Sequence, residues 1–268
     1  MTGEERVTAS PVLPAGGYVR ATAGAEDLAG MAALVRQALA VHGLARLLPM
    51  DEQRFLDLAG HLGEVGLRTE LVIDPVQEAA ERRRRSAAEA RPVVYAPTEL
   101  AFHTDRPTVD VIGWYCIEQD AQDGAVQLID TADLADHLSS EELAGLEKIE
   151  LGYYHRDSQT VSDEPRQASL VEKGPHGHLL YYAPWQIATD LGGDAAQALA
   201  RFEAYLESKR TTSLLRIRLE PGEALFIDNR RLLHARGNLS PASRRHIVRL
   251  YIACTPEDGA GAPRTSRP

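Results

Sequence analysis

Apolar residues at Leu28, Met31, Leu34, Val35, Ala38 and Leu39 recur in steps of three and four, which predicts an amphipathic helix with one buried stripe from Asp27 onward. His42-Gly43 closes it, with glycine in the C-cap role. Residues 44–48 read as a short buried strand, and Phe55, Leu56, Leu58, Ala59 and Leu62 mark a second helix. From Val109 the period drops to two. Val109, Val111, Gly113 and Tyr115 fall on one face, and Asp110, Ile112, Trp114 and Cys116 on the other. Further strands are predicted at 125–129, at Leu170-Val171-Glu172, and at 179–182, 214–219, 224–227 and 247–253. Turns fall at Asp123-Gly124, Gly174-Pro175-His176-Gly177 and Pro221-Gly222. Ser139 caps a helix beginning near Glu141, and residues 195–206 form another amphipathic helix.

Many short strands with turns between them favour a sandwich or barrel over a parallel sheet. No repeat and no linker divides the chain, so 1–268 reads as one domain, ordered over about 18–254, with a loose lead-in at 1–17 and a Pro/Gly/Arg-rich tail at 255–268. Residues 78–91 carry a charge run that includes Arg82 to Arg85. That run is a solvated helix or loop, or part of a lid over 74–98.

Composition narrows the function. The net charge of −10 disfavours nucleic acid and anionic membranes, both of which need a basic footprint. No run approaches the ~18 apolar residues of a membrane span. Cys116 and Cys254 lie in apolar runs without metal-ligand spacing, as expected of free thiols in a reducing cytoplasm. Arginine far outnumbers the three lysines and alanine is abundant, the composition of a GC-rich bacterial genome.

The candidate chemistry lies in Phe102-His103-Thr104-Asp105 and, far downstream, in Asp228-Asn229-Arg230-Arg231-Leu232-Leu233-His234-Ala235-Arg236. His103 and Asp105 share one face of an extended strand. His234 offers a third ligand if the fold brings it back to that point. Two His and one carboxylate on one face, with the other positions open, is the ligand set of non-haem Fe(II) oxygenases. A chance His-x-Asp pair on the surface is the alternative. The apolar approach Leu100-Ala101-Phe102 weighs against it, as does Arg244-Arg245-His246-Ile247-Val248-Arg249-Leu250-Tyr251, a β-branched run carrying cations that a surface strand does not need. Residues 245, 247, 249 and 251 share a face, so Arg245 and Arg249 point the same way.

His-Thr-Asp, then Asp-Asn-Arg-Arg-x-x-His, then an arginine-bearing strand resembles the Fe(II)/2-oxoglutarate dioxygenases of the taurine dioxygenase and clavaminate synthase-like group, from roughly Gly43 to Cys254. The resemblance implies a mainly β fold with helices, a double-stranded β-helix (jelly roll, cupin-like) core with flanking helices. It implies that His103, Asp105 and His234 hold Fe(II) and form the catalytic centre, with 2-oxoglutarate and O2 as cosubstrates. Arg245 then binds the distal carboxylate of 2-oxoglutarate, and Arg249 meets or supports the substrate. Asp105 itself argues against a halogenase, which would carry Gly or Ala there. The family often places a threonine where this chain has Val126, so either Gln127 or another group replaces its hydroxyl or cosubstrate binding is weaker. Glu99, Phe102, Tyr182 and Trp185 are substrate-binding candidates, and Tyr153 and Tyr154 are further pocket residues. A second metal site from His155, His176 and His178 is the weaker possibility.

Three functions stay open from the sequence. One is oxidation of a C–H bond in a small, amino-acid-like molecule or natural-product intermediate, by hydroxylation, desaturation or cyclisation. Another is a non-catalytic ligand-binding or metal-sensing jelly roll. The third is a zinc-dependent cupin-like hydrolase or isomerase. Each allows a homo-oligomer.

Overall fold

The structure, a computed structural model, describes residues 27–84, 94–156, 161–175 and 177–254. The expected lead-in and tail lie outside them. In chain order the elements are α1 (Leu28–His42), β1 (Leu44–Leu47), α2 (Glu52–Leu62), β2 (Glu64–Val72), α3 (Pro75–Arg84), β3 (Leu100–His103), β4 (Val111–Glu118) and β5 (Val126–Asp130). Then come α4 (Leu134–His137), α5 (Ser140–Glu147), β6 (Glu150–Arg156), β7 (Val161–Ser169), β8 (Val171–Gly174), β9 (Gly177–Leu180) and a 3-10 turn (Pro184–Gln186). The chain continues with α6 (Gly193–Thr212), β10 (Leu215–Ile217), β11 (Ala224–Asp228), β12 (Leu232–Arg236) and β13 (His246–Ala253).

The local signals act as expected. Asp27 caps α1 by accepting from the Ala29 amide, and Gly43 ends it at φ 71°, a left-handed conformation that suits glycine. Ser139 and Glu142 form a reciprocal capping box on α5.

Two antiparallel sheets make the core. One runs β1-β11-β4-β13-β2 and the other β10-β5-β12-β3. They face each other across an apolar layer that includes Ile112, Trp114 and Cys116 from β4, Val126 and Leu128 from β5, Leu232 from β12 and Ile247 from β13. The five-stranded sheet turns its other face to α1 and α2, burying Val111, Phe226, Val248, Leu250 and Ile252 against Val35, Phe55 and Leu58. Behind the four-stranded sheet, Ile129 and Leu233 pack with Leu146, Phe202 and Leu206 of the later helices. This is the expected jelly roll with flanking helices. β4 is buried on both faces for that reason, and the alternation along it sorts residues between two cores rather than between core and solvent. At Gly113 the facing ring leaves no room for a side chain, since a Cβ would come within 2.9 Å of Phe226.

Two elements depart from the expectation. β2 is a nine-residue edge strand on β13, although only its last residues are strongly apolar, and most of it is half-exposed. β12 emerges as a separate strand inside what reads as a charged motif.

Candidate functional site

The site is built where β3 meets β12. His234 pairs directly with His103 across those antiparallel strands. Directly paired residues share a face, and the two imidazoles lie 4.3 Å apart between ring centres. Asp105 follows two residues after β3. Its carboxylate lies 3.8 Å from His103 Nε2 and 3.7 Å from His234 Nε2. The three donor atoms fall within 4.8 Å of one another, the one group among the described residues able to hold a metal ion. The Pro-His-Gly-His stretch yields no such group, and His176 and the side chain of His155 lie outside the described residues.

Electrostatics put the triad in its ligating form. Burial pushes both histidines down, and His103 beside it takes His234 to about 3. Burial alone would raise Asp105, but Arg249 and the two histidines outweigh it and bring the carboxyl to about 2. The result is two neutral imidazoles and one carboxylate. His103 Nδ1 lies 2.7 Å from the Ala101 carbonyl, which accepts a hydrogen bond from Nδ1–H and so leaves the Nε2 lone pair free for a metal. Cis donors around an ion with ~2 Å bonds sit roughly 3 Å apart, so the two histidine–carboxylate spacings need close by less than ~1 Å. The residues present fit Fe(II).

The segment after His103 is clamped. Asn229 accepts from the Asp105 amide at 2.8 Å and donates to the carbonyls of Arg106 and Val109 at 3.2 and 2.9 Å. The Thr104 amide donates to the Tyr182 carbonyl, and the Tyr182 amide donates to the Thr104 hydroxyl, both at 2.9 Å. Arg230 donates to the Pro107 carbonyl and to Glu172. Arg231 grips both oxygens of Asp130. The Asp-Asn-Arg-Arg motif is thus largely a fastening, a role not visible in its sequence.

The candidate residues divide. Trp185 sets its ring edge-on to His103 at 5.1 Å, and Trp114, not singled out from sequence, does the same to His234 at 5.2 Å. Arg249 donates to Asp105 at 3.1 Å and lies over the Tyr251 ring at 4.6 Å. Arg245 is 5% exposed, and no acceptor among the described residues meets its guanidinium. Val126 is buried on the inner face opposite Arg236, whereas Gln127 pairs with Ala235 on the other face. Phe102 points away from His103, against the helix-side core. Tyr182 packs on Phe202 at 5.3 Å, and its neighbour Tyr181 is the tyrosine that senses the Asp105 charge. Glu99 is exposed, with its amide bonded to Asn238. Tyr153 stacks edge-on with Tyr181, and the side chain of Tyr154 lies outside the described residues. Of the 74–98 segment, α3 is a charged helix and 94–98 is pinned through its carbonyls by Arg236 and by the Leu239 amide; 85–93 lie outside the described residues.

A jelly roll holding two histidines and a carboxylate on one face defines the class of non-haem iron oxygenases. Residues 15–251 match the family model described as "Taurine catabolism dioxygenase TauD, TfdA family", and the chain belongs to that family. It is 29% identical over 181 residues to a gamma-butyrobetaine dioxygenase of Pseudomonas sp. (strain AK-1), a match covering 63% of this chain and 47% of that protein, so it spans about half that relative's length. The fold is similar to asparagine oxygenase in complex with Fe(II), 2S,3S-3-hydroxyasparagine and succinate, at TM-score 0.62 and 18% identity over 84% of this chain and 79% of that one. It is also similar to the non-haem iron oxygenase OrfP in complex with Fe, succinate and (3S)-hydroxy-L-Arg, at TM-score 0.63 and 16% identity over 88% and 83%. Among the described residues no helix is long and apolar enough to cross a membrane.

Proposed function

We propose that this chain is an Fe(II)/2-oxoglutarate-dependent oxygenase that oxidises a C–H bond of a small amino-acid-like molecule. The observation that carries the reading is the buried, charge-matched triad of His103, Asp105 and His234. Ferrous ion with 2-oxoglutarate supplies oxidative chemistry in which O2 is consumed, the 2-oxo acid yields succinate and CO2, and a substrate C–H bond is oxidised.

The chain's own part is positioning. The triad occupies one side of the ion and leaves the other side open. Arg249 holds Asp105 in place and is itself seated over the Tyr251 ring. Trp114 and Trp185 wall the histidines from water. Arg245 offers a guanidinium to the distal carboxylate, a matched fork for that group. Arg249 is committed to Asp105, which favours its supporting role over a direct grip on substrate. An amino-acid-like substrate is supported by the relatives named above, whose own substrates or bound products are of that kind. One domain in a reducing cytoplasm completes the reading, consistent with the free Cys116 and Cys254.

Anaerobic Fe(II) protein is expected to develop a charge-transfer absorption on adding 2-oxoglutarate, and to release succinate once O2 and a suitable amino acid derivative are supplied. Retention of zinc, with no such absorption and no succinate, would overturn the proposal in favour of a hydrolase or isomerase.

A further inference from the structure

The cosubstrate pocket on that reading contains a second buried cation that no role so far absorbs. On β12, His234 pairs with Leu128 and Arg236 with Val126. These four side chains therefore share the inner face, and Gln127 is excluded from it. Arg236 is 6% exposed. Its Nη2 donates to the carbonyls of Ala96 and Thr98 at 2.7 and 2.6 Å, and its Nη1 lies 3.4 Å from the carbonyl of Val94. Its Nε–H is buried with no acceptor among the described residues.

Arg245 enters from the facing sheet, on the same side of its strand as Ile247, which packs with Val126 between the sheets. Its Nε is orphaned as well. The two guanidiniums are close enough to oppose one another. After burial itself, the charge of Arg236 is the main influence that brings Arg245 down to about 10. The carboxylate sensed there, Asp120, is fully buried and already spent. It accepts from the amides of Gln122, Asp123 and Ser240 and from the Ser240 hydroxyl. Two cations against one anion leave a single positive charge to be met by a ligand, the charge of one carboxylate.

We infer that Arg236 is a second anchor for the distal carboxylate of the 2-oxo acid, binding through Nε–H alongside Arg245 where Val126 presents only methyl groups. This rests on the reading of the site as a 2-oxo acid pocket. It makes Arg236 a determinant of cosubstrate choice: the pair selects 2-oxo diacids over 2-oxo monoacids.

Calorimetric titration of the Mn(II)-loaded protein with 2-oxoglutarate and with 2-oxobutyrate, which lacks the distal carboxylate, tests this. Wild type is expected to bind 2-oxoglutarate far more tightly. Arg236→Gln is expected to weaken 2-oxoglutarate by roughly 10- to 100-fold and to leave 2-oxobutyrate within about twofold. Val126→Thr added to Arg236→Gln returns a hydroxyl donor and is expected to recover part of the loss. Unchanged 2-oxoglutarate affinity in Arg236→Gln overturns the assignment. So does equal weakening of both acids, because a residue that only tethers 94–98 would not discriminate between them. Wild type binding neither acid overturns the pocket reading and this inference with it. If Arg236→Gln does not fold, the crystal structure of the wild-type Mn(II)–2-oxoglutarate complex decides. Nε within ~3.2 Å of the distal carboxylate supports the assignment, and a separation beyond ~4.5 Å overturns it.

Discussion

The two faces of β13 are made by one stretch of backbone and obey opposite rules. Val248, Leu250 and Ile252 point outward into the α1/α2 core, all aliphatic and fully buried. Arg249 and Tyr251 point inward, with the buried Arg245 just before the strand, and two of these three carry charge. Burying a cation costs several kcal/mol unless it is paired. Arg249 is paired with Asp105, whereas Arg245 meets no carboxylate among the described residues within ion-pair distance. An aliphatic face is explained by the folded chain alone. A buried guanidinium without a carboxylate in contact among the described residues points instead to a bound group, so the difference between the faces separates stability from function.

The sharpest way to break this comparison is Arg245→Met. If the charge exists for a ligand, its loss is expected to weaken 2-oxoglutarate by about 2–5 kcal/mol, or roughly 30- to several-thousand-fold, with metal content unchanged. Melting of the ligand-free protein is expected to hold or rise, because an uncompensated charge has been removed. A drop in melting temperature with normal 2-oxoglutarate binding would reverse the argument.

On the opposite face, Leu250→Ala is expected to cost about 2–5 kcal/mol in chemical denaturation while 2-oxoglutarate affinity stays within a fewfold. Asn229→Ala probes the fastening between faces. Loss of its three bonds to 105–109 is expected to weaken metal binding about 10- to 100-fold in a chelator competition, with a smaller effect on stability.

The smallest effect concerns a buried acid away from the cavity. Burial raises Asp228 to about 6, against the bonds it accepts from the Arg230 and Arg231 amides. Its folded-state value lies above its unfolded one, so wild-type stability falls as pH rises from about 4 through about 6 and then levels off. Asp228→Asn removes that loss. It is expected to match wild type near pH 4 and to exceed it by about 1–3 kcal/mol above pH 6.5, read from denaturation midpoints across pH.

What sequence made legible follows from periodicity. His103 and Asp105 share a face at spacing two and do converge, and Arg249 reaches the same carboxylate from the facing sheet. Parity also separated Tyr115 from Trp114 and Cys116, which the structure sorts into two cores. It said nothing of what stands opposite, so Trp114 was not recognised as a wall beside His234. Strand β12 was hidden because Arg231 and Arg236 flank its short apolar run, and Arg236 is tolerated there because three carbonyls receive it. Tyr181 and Tyr182 adjoin in an irregular stretch after β9, where alternation gives no guide to which ring faces Asp105. Asn229 reads locally as a turn residue, and its bonds reach more than a hundred positions back along the chain.

The direct pairing of His103 with His234 has a consequence in polymer terms. β3 has four residues and is an edge strand held by β12 alone. An ion shared by the triad therefore ties together points 131 positions apart, with the reach of a covalent cross-link closing a loop of that size. Closing such a loop restricts the unfolded chain by an amount worth on the order of 5 kcal/mol, and it varies only weakly with loop length. The metal thus acts as a clasp on a short edge strand, and amide exchange in residues 100–103 is expected to quicken when it is withdrawn.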